Sequence, residues 1–247
     1  GYPPGGRCLS AYLPVTFMPR PQAPARRPVR GNFPVLREDS EKYMKLFYKA
    51  GACSMVPHTA LAWIGKSYEA ESVTIEQMKA PAYLKLNPQG AVPLLVDGEL
   101  VVTQNVAILA YLDSLHPESK LFGSSTPQGK ALAWRWLAFL NADVHKAFSP
   151  LFHAPDWMSD DVKAAAQQAA REQIVKMLKQ ADDRLATTQW LGGEDISVAD
   201  VYCYVILRWA RGLKLDIGAL KRLEDLYNRV AANKGVQAIC AQEGLQP

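Results

Sequence analysis

One cysteine carries the sharpest chemical signal in this chain. Cys53 stands in Gly51-Ala52-Cys53-Ser54, directly after the strand-like run Met44-Lys45-Leu46-Phe47-Tyr48, and a helix is expected to open near Pro57. At a helix entry, backbone N–H groups and the positive end of the helix dipole stabilise a thiolate and lower the thiol pKa. The competing reading is a buried, inert thiol; the glycine-bearing loop and the helix entry favour the reactive one. No second cysteine follows three residues later, so a dithiol cycle is not available and a redox partner thiol has to come from outside the chain.

Three further places could serve that thiol. Val92-Pro93 opens a strand expected to be central to a sheet, a position where proline is poorly tolerated unless it turns the chain. A cis bond there would leave the Val92 N–H and C=O free to pair with an extended peptide; an ordinary trans proline is the alternative. Thr103-Gln104-Asn105 precedes another helix, with Asn105 suited to N-capping and the helix terminus suited to a carboxylate. His145 and Lys146 fall near the end of a long helical pattern. There Trp134, Ala138, Asn141 and His145 share a face that is small and polar in its middle. A lone helical histidine is more often structural, and from the residues alone that reading stands.

These residues need a scaffold, and the pattern supplies one from Met44 onward. Strands are expected at 44–48, 68–75, 92–96 and 100–102, the last two joined as a hairpin through Asp97-Gly98. Helices are expected from Pro57, over 80–86 and over 105–115, which gives a small α/β unit with a mixed sheet. Pro117–Pro127 reads as a linker. Beyond it the chain is helical: Trp134, Leu137, Asn141, Val144 and Phe148 keep 3–4 spacing, as do Ile174, Met177, Ala181 and Leu185. Ser197-Val198-Ala199-Asp200 has the form of a capping box, and two more helices follow over 220–232 and 236–243. Trp157, Met158, Trp209 and Leu213 are candidates for an acceptor pocket, although aromatic residues at helical spacing are more often core.

Charge and composition remove several function classes. Residues 1–43 hold seven basic and three acidic side chains and eight of the seventeen prolines, so the net charge of +4 belongs to that segment. The remaining 204 residues are balanced at 21 of each sign, which removes the electrostatic case for nucleic-acid binding. The segment has no apolar periodicity and is expected to be disordered or non-native. No run of residues is apolar enough to span a bilayer, so no membrane partner is expected. Cys8, Cys53, Cys203 and Cys240 lie too far apart for a zinc site, so no metal is expected. They suit a reducing, cytoplasmic setting, with Cys203 and Cys240 buried in apolar helices.

In this order and spacing the pieces resemble the bacterial beta class of glutathione transferases, from Met44 to Leu245. The opening segment Met44–Tyr48 with Gly51-Ala52-Cys53-Ser54 and Pro57-His58 is similar to the start of that class. Asn87-Pro88 with Gly90-Ala91-Val92-Pro93 resembles its cis-proline turn, and His145–Phe152 its cleft segment. Ser197–Asp200 and Glu243-Gly244-Leu245 match the capping box and the usual ending. The resemblance implies a thioredoxin-like α/β N-terminal domain over 44–121 that binds glutathione. It also implies an all-helical C-terminal domain over 128–247 for a small electrophilic substrate, a homodimer, and no metal. It assigns Cys53, Ser54 and His145 to catalysis, and Ala52, Val92, Pro93, Gln104, Asn105, His145 and Lys146 to glutathione. Gln104-Asn105 departs from the acidic pair-leader common in the class, and Ala138 replaces an asparagine often found there. Besides glutathione conjugation, monothiol exchange through Cys53 is compatible with these residues. So is a non-catalytic binding module of the same fold, such as the stringent starvation protein, although such proteins often lack the cysteine and the His-Lys pair.

Overall fold

The computed structural model describes residues 44–155 and 157–247. The expectation for residues 1–43 therefore lies outside the described residues. Strand β1 (Met44–Tyr48) and strand β2 (Glu69–Ser72) pair in parallel, and β1 pairs antiparallel with β3 (Leu94–Asp97). Strand β3 closes a hairpin with β4 (Leu100–Thr103), giving the mixed order β2-β1-β3-β4. Gly98 turns this hairpin at φ +60°, a backbone state that glycine adopts without a Cβ clash.

Helix α1 (Met55–Ile64) crosses from β1 to β2, and every residue from Met55 to Leu61 is buried. Two short helices follow β2: α2 (Ile75–Met78) and α3 (Pro81–Leu86). The strand expected over 68–75 is therefore cut short. Thr74 accepts a hydrogen bond from the Gln77 N–H, and Gln77 Oε1 accepts one from the Thr74 N–H. This reciprocal cap starts a helix at the end of the expected strand. Helix α4 (Asn105–Leu115) has the expected bounds.

The segment expected as a linker is packed rather than free. Leu121 and Phe122 are buried, Phe122 stacks on Trp134 with ring centroids 4.5 Å apart, and the Val198 N–H donates to the Leu121 carbonyl at 2.9 Å. The helical part begins with α5 (Pro127–Ala138), which runs without a break into a π-helical stretch over Phe139–Val144. Short helices α6 (His145–Ala147) and α7 (Ser149–Phe152) follow, then the 25-residue α8 (Asp160–Arg184). Helices α9 (Val198–Gly212), α10 (Lys221–Ala231) and α11 (Lys234–Gln242) complete it.

Helix α9 is the axis of the helical part, with eleven of its fifteen residues buried. At its start the Asp200 carboxylate accepts from Leu191 N, Ser197 N and Ser197 Oγ at 2.7–2.9 Å. The expected capping box is thus present, and its carboxylate also holds the preceding loop. Helix α1 packs against α9 and α11, so one continuous apolar core joins Leu46, Val56, Leu95 and Ile108 of the α/β part to Leu137, Tyr202 and Ile239 of the helical part. Cys203 and Cys240 are both fully buried in it.

Candidate active site

The loop after β1 sets the position of Cys53. Gly51 turns at φ +71°, and its peptide is held on both sides by the helical part: its N–H donates to Glu243 Oε2 at 2.9 Å, and its C=O accepts from Trp209 Nε1 at 2.8 Å. The other carboxylate oxygen of Glu243 accepts from His58 Nδ1 at 2.9 Å, and both side chains are fully buried. Ser54 closes the loop from within. Its hydroxyl accepts from Lys49 N at 3.1 Å and faces the Lys49 carbonyl at 3.3 Å, and the residue has no exposed surface.

Cys53 is 8% exposed, and its thiol points to the Val92 carbonyl, with Sγ and O 3.8 Å apart. Here the sequence expectation is reversed. Burial pushes the thiol pKa up, and the polar Asn105 and Tyr202 side chains and backbone N–H groups nearby do not cancel that cost. A thiolate at the mouth of a helix is favoured only if water or enough donors reach it, and at this depth the loss of water dominates.

Val92-Pro93 is cis, as the first of the two readings required. Pro93 lies just before β3 rather than in it. The ladder begins at Leu94, which faces Phe47 and Thr103, so Val92 stands outside the sheet's own pairing. At the next corner the cap is one residue earlier than expected. Asn105 is the first residue of α4, and Gln104 takes the cap position at φ +73° and ψ 125° with no side-chain cap bond. Positive φ is uncommon for a residue with a Cβ and marks a backbone held by its surroundings. The Gln104 side chain lies outward and donates to Gln89 Oε1 at 3.0 Å, whereas Asn105 is buried and its Oδ1 has no partner.

From the helical side, Asn141, His145, Lys146 and Ser149 face the same space. The face expected to run through Trp134, Ala138, Asn141 and His145 is broken in two. Trp134 packs on Phe122, Ala138 is exposed away from the cleft, and Asn141 and His145 line it. The π-helical stretch over Phe139–Val144 separates the halves, because its wider turn advances the helix face relative to α-helical spacing. His145 is half-buried, and burial lowers its pKa from the ordinary histidine value, so the ring is neutral at pH 7.

The two walls meet in one open cleft of about 270 Å³ that brings together Cys53, Val92, Pro93, Gln104, Asn105, His145 and Lys146. Ala52 and Ser54 are not among its lining residues. Trp157 is 79% exposed on the loop before α8 and is not a lining residue of this cleft, and Trp209 packs edge-on against His145 with ring centroids 4.7 Å apart.

Sequence reasoning missed Tyr202 and the structural use of His58 and Glu243. Tyr202 is fully buried on α9, with its hydroxyl 2.8 Å from His145 Nδ1 and 3.1 Å from Asn141 Oδ1. In sequence it is one apolar-face aromatic among many. The Glu243 ending was visible as a motif, but its partners lie 185 and 192 residues away. No group of residues suited to a metal ion is found among the described residues.

Fold and cleft together are those of a two-part protein, a mixed-sheet α/β unit and an all-helical unit with one cleft lined from both. Two family models match the chain: the N-terminal domain of glutathione S-transferase over residues 42–114, and its C-terminal domain over residues 139–234. The chain belongs to the glutathione S-transferase family and is a transferase. It is 39% identical to glutathione S-transferase GST-4.5 of Xanthomonas campestris pv. campestris, an alignment covering 82% of this chain and all of that one. A sphingomonad glutathione S-transferase solved with glutathione is 36% identical at a TM-score of 0.72, covering 81% of this chain and 99% of the other. The bacterial beta class enzyme of Sphingomonas chungbukensis is 33% identical with the same TM-score and coverage. The resemblance to the beta class drawn from Cys53, Val92-Pro93 and His145-Lys146 is thereby supported across the whole described body.

Proposed function

We propose that the cleft binds glutathione in extended form and transfers its thiol to a small apolar electrophile. The observation that carries this reading is the convergence of Cys53, the Val92 backbone, Gln104, Asn105 and His145 on one cleft. Glutathione is the co-substrate. Val92 pairs its free backbone with the cysteinyl residue, as in strand addition. Gln104 accepts from the γ-glutamyl ammonium, and Asn105 with the start of α4 receives the γ-glutamyl carboxylate. Lys146, exposed at the rim, attracts the anionic tripeptide. Domains 44–121 and 128–247 supply the glutathione side and the electrophile side respectively.

Cys53 acts here as a protonated thiol. Its raised pKa makes it a hydrogen-bond donor toward the glutathione sulfur rather than an attacking group, which favours conjugation over monothiol exchange. The electrophile sits against Phe152 and Trp209, whose rings meet edge-on at 5.4 Å beside His145. Ser54 keeps the loop shape and Ala52 is part of its chain path. The enzyme works as a homodimer, for which Leu100 and Val101 on edge strand β4 and Leu132 on α5 offer exposed apolar surface. It resides in the cytoplasm, where Cys53, Cys203 and Cys240 stay free.

Calorimetric titration of glutathione at pH 7 tests the reading. One saturable site per chain is expected, with turnover of a chloronitroarene in the presence of glutathione. Absence of binding at millimolar glutathione would overturn it. In the Cys53→Ala variant conjugation should persist at reduced rate. Complete loss of conjugation, with thiol exchange intact in the parent, would establish the exchange reading instead.

A further inference from the structure

Resting on the glutathione transferase reading, we propose that Tyr202 is a positioning residue that fixes the tautomer of His145, so that Nε2 faces the glutathione thiol as a proton acceptor. The argument is a count of protons around one buried hydroxyl. A tyrosine hydroxyl has one hydrogen to give and lone pairs to receive. The Tyr202 hydroxyl touches two groups at hydrogen-bond distance: Asn141 Oδ1 at 3.1 Å and His145 Nδ1 at 2.8 Å. An amide oxygen only accepts, so the Tyr202 proton goes to Asn141. A bare Nδ1 would then face the hydroxyl oxygen with lone pair against lone pair, inside the core. Both contacts are satisfied together when Nδ1 carries the hydrogen and donates it to Tyr202.

The remaining neighbours leave that count unchanged. The Cys53 sulfur borders the same hydroxyl but is a weaker acceptor than the Asn141 amide oxygen, and without glutathione its own proton points to the Val92 carbonyl. Asn105 borders it too, and an amide N–H there fills a second lone pair on the tyrosine oxygen without asking for its proton. Trp209 packs against the His145 ring with Phe148 behind it, and neither brings a titratable group. Burial keeps His145 neutral, so a single tautomer has to be chosen. Which ring nitrogen carries hydrogen is set by the bond the other nitrogen makes. With Nδ1 turned inward and engaged, Nε2 is the atom His145 offers to the cleft it lines.

The chemical step then balances. The glutathione S–H bond breaks, its electron pair stays on sulfur, and the proton passes to Nε2. The imidazolium that forms keeps its Nδ1–H bond to Tyr202. Sulfur attacks the electrophilic carbon of an aryl or alkyl halide, the halide leaves with the bonding pair, and the imidazolium returns its proton to water. Asn141 is the remote end of this chain. Were its NH2 turned to Tyr202, the order would invert and His145 would present an N–H to the thiol.

The first test needs no activity. Ring ¹⁵N and ¹H correlation spectra of the full chain without glutathione, with the His145 signals identified by their loss in His145→Gln, read the tautomer directly. The Nδ1–H form is expected. An Nε2–H form in the unsubstituted protein overturns the proposal while leaving the glutathione reading untouched. Tyr202→Phe keeps the packing and removes the hydroxyl; it should give a mixed or inverted tautomer. It should also lower kcat roughly tenfold, a partial loss of what a positioned base supplies, with the glutathione KM nearly unchanged. Unchanged His145 signals in this variant, or a loss confined to KM, overturn the positioning role. Failure of every variant and of the parent to bind glutathione, with the Nδ1–H signal present, counts against the functional reading alone.

Discussion

The two walls of the cleft are built on different principles. The α/β wall works mainly through its main chain: the Val92 peptide lies outside the ladder, Gln104 turns at positive φ, and the Gly51 peptide is gripped from both sides. The helical wall works through side chains, with Asn141, Tyr202 and His145 wired in series. A main-chain surface recognises a peptide whatever its reactivity, whereas a side-chain relay acts on one proton. The first wall should therefore govern how tightly glutathione binds, and the second how fast it reacts. The Glu243 bridge ties the two together.

Removing that bridge is the harshest way to break the comparison. Glu243→Ala leaves His58 and the Gly51 N–H without their buried acceptor and should destabilise the protein by about 3–5 kcal/mol. Denaturant unfolding followed by tryptophan fluorescence reads this directly. A loss below about 1 kcal/mol would mean the two parts do not depend on this contact.

Next in size is the relay itself. His145→Gln should lower kcat roughly a hundredfold while shifting the glutathione KM little, as expected of a lost general base. Steady-state kinetics with varied glutathione separates the two constants. If KM carried the loss, the division of labour between the walls would be wrong. On the opposite wall, Gln104→Glu replaces a neutral acceptor with a charged one at the expected ammonium site. It should tighten glutathione binding by about fivefold with kcat unchanged, seen by calorimetry.

The smallest effect concerns the axis helix that carries Tyr202. Burial raises the Asp200 carboxyl to about 6, against three opposing hydrogen bonds. A carboxyl whose folded pKa lies above its unfolded one contributes stability that is complete below the unfolded value and lost as pH rises through the folded one. Between pH 5 and pH 7 this group should therefore cost about 1 kcal/mol. The unfolding free energy of Asp200→Asn should lack that part of the pH dependence. An identical pH dependence in both proteins would place the Asp200 pKa at an ordinary value.

The legibility of the two walls in the sequence differs for the same physical reason. Main-chain geometry leaves local marks: a proline before a strand, a glycine at a turn, and a Thr-Gln-Asn corner all pointed to the right places, off by one residue at the α4 cap. The helical relay leaves fewer, a polar face at Asn141 and His145 and nothing at its middle member. Tyr202 is separated from His145 by 57 residues and from Asn141 by 61, and its type and spacing are those of a core aromatic. The thiol pKa is not legible in the sequence, because a pattern shows that a helix follows Cys53 but not how deeply its loop is covered. The helix α2 cap is readable as Thr74-x-x-Gln77, which the strand expected over 68–75 leaves out of account.

The π-helical stretch has a consequence for which lengths of this chain evolution can accept. Deleting one residue between Phe139 and Val144 would return the segment to regular α-helical winding, a locally favourable edit. Yet one α-helical residue corresponds to about 100° of rotation and about 1.5 Å of translation, so everything after the edit would be re-aimed. His145 and Lys146 would swing off the cleft while the helix that carries them became more regular. A shortened variant of this kind would gain local backbone regularity and lose the cleft arrangement of His145 and Lys146.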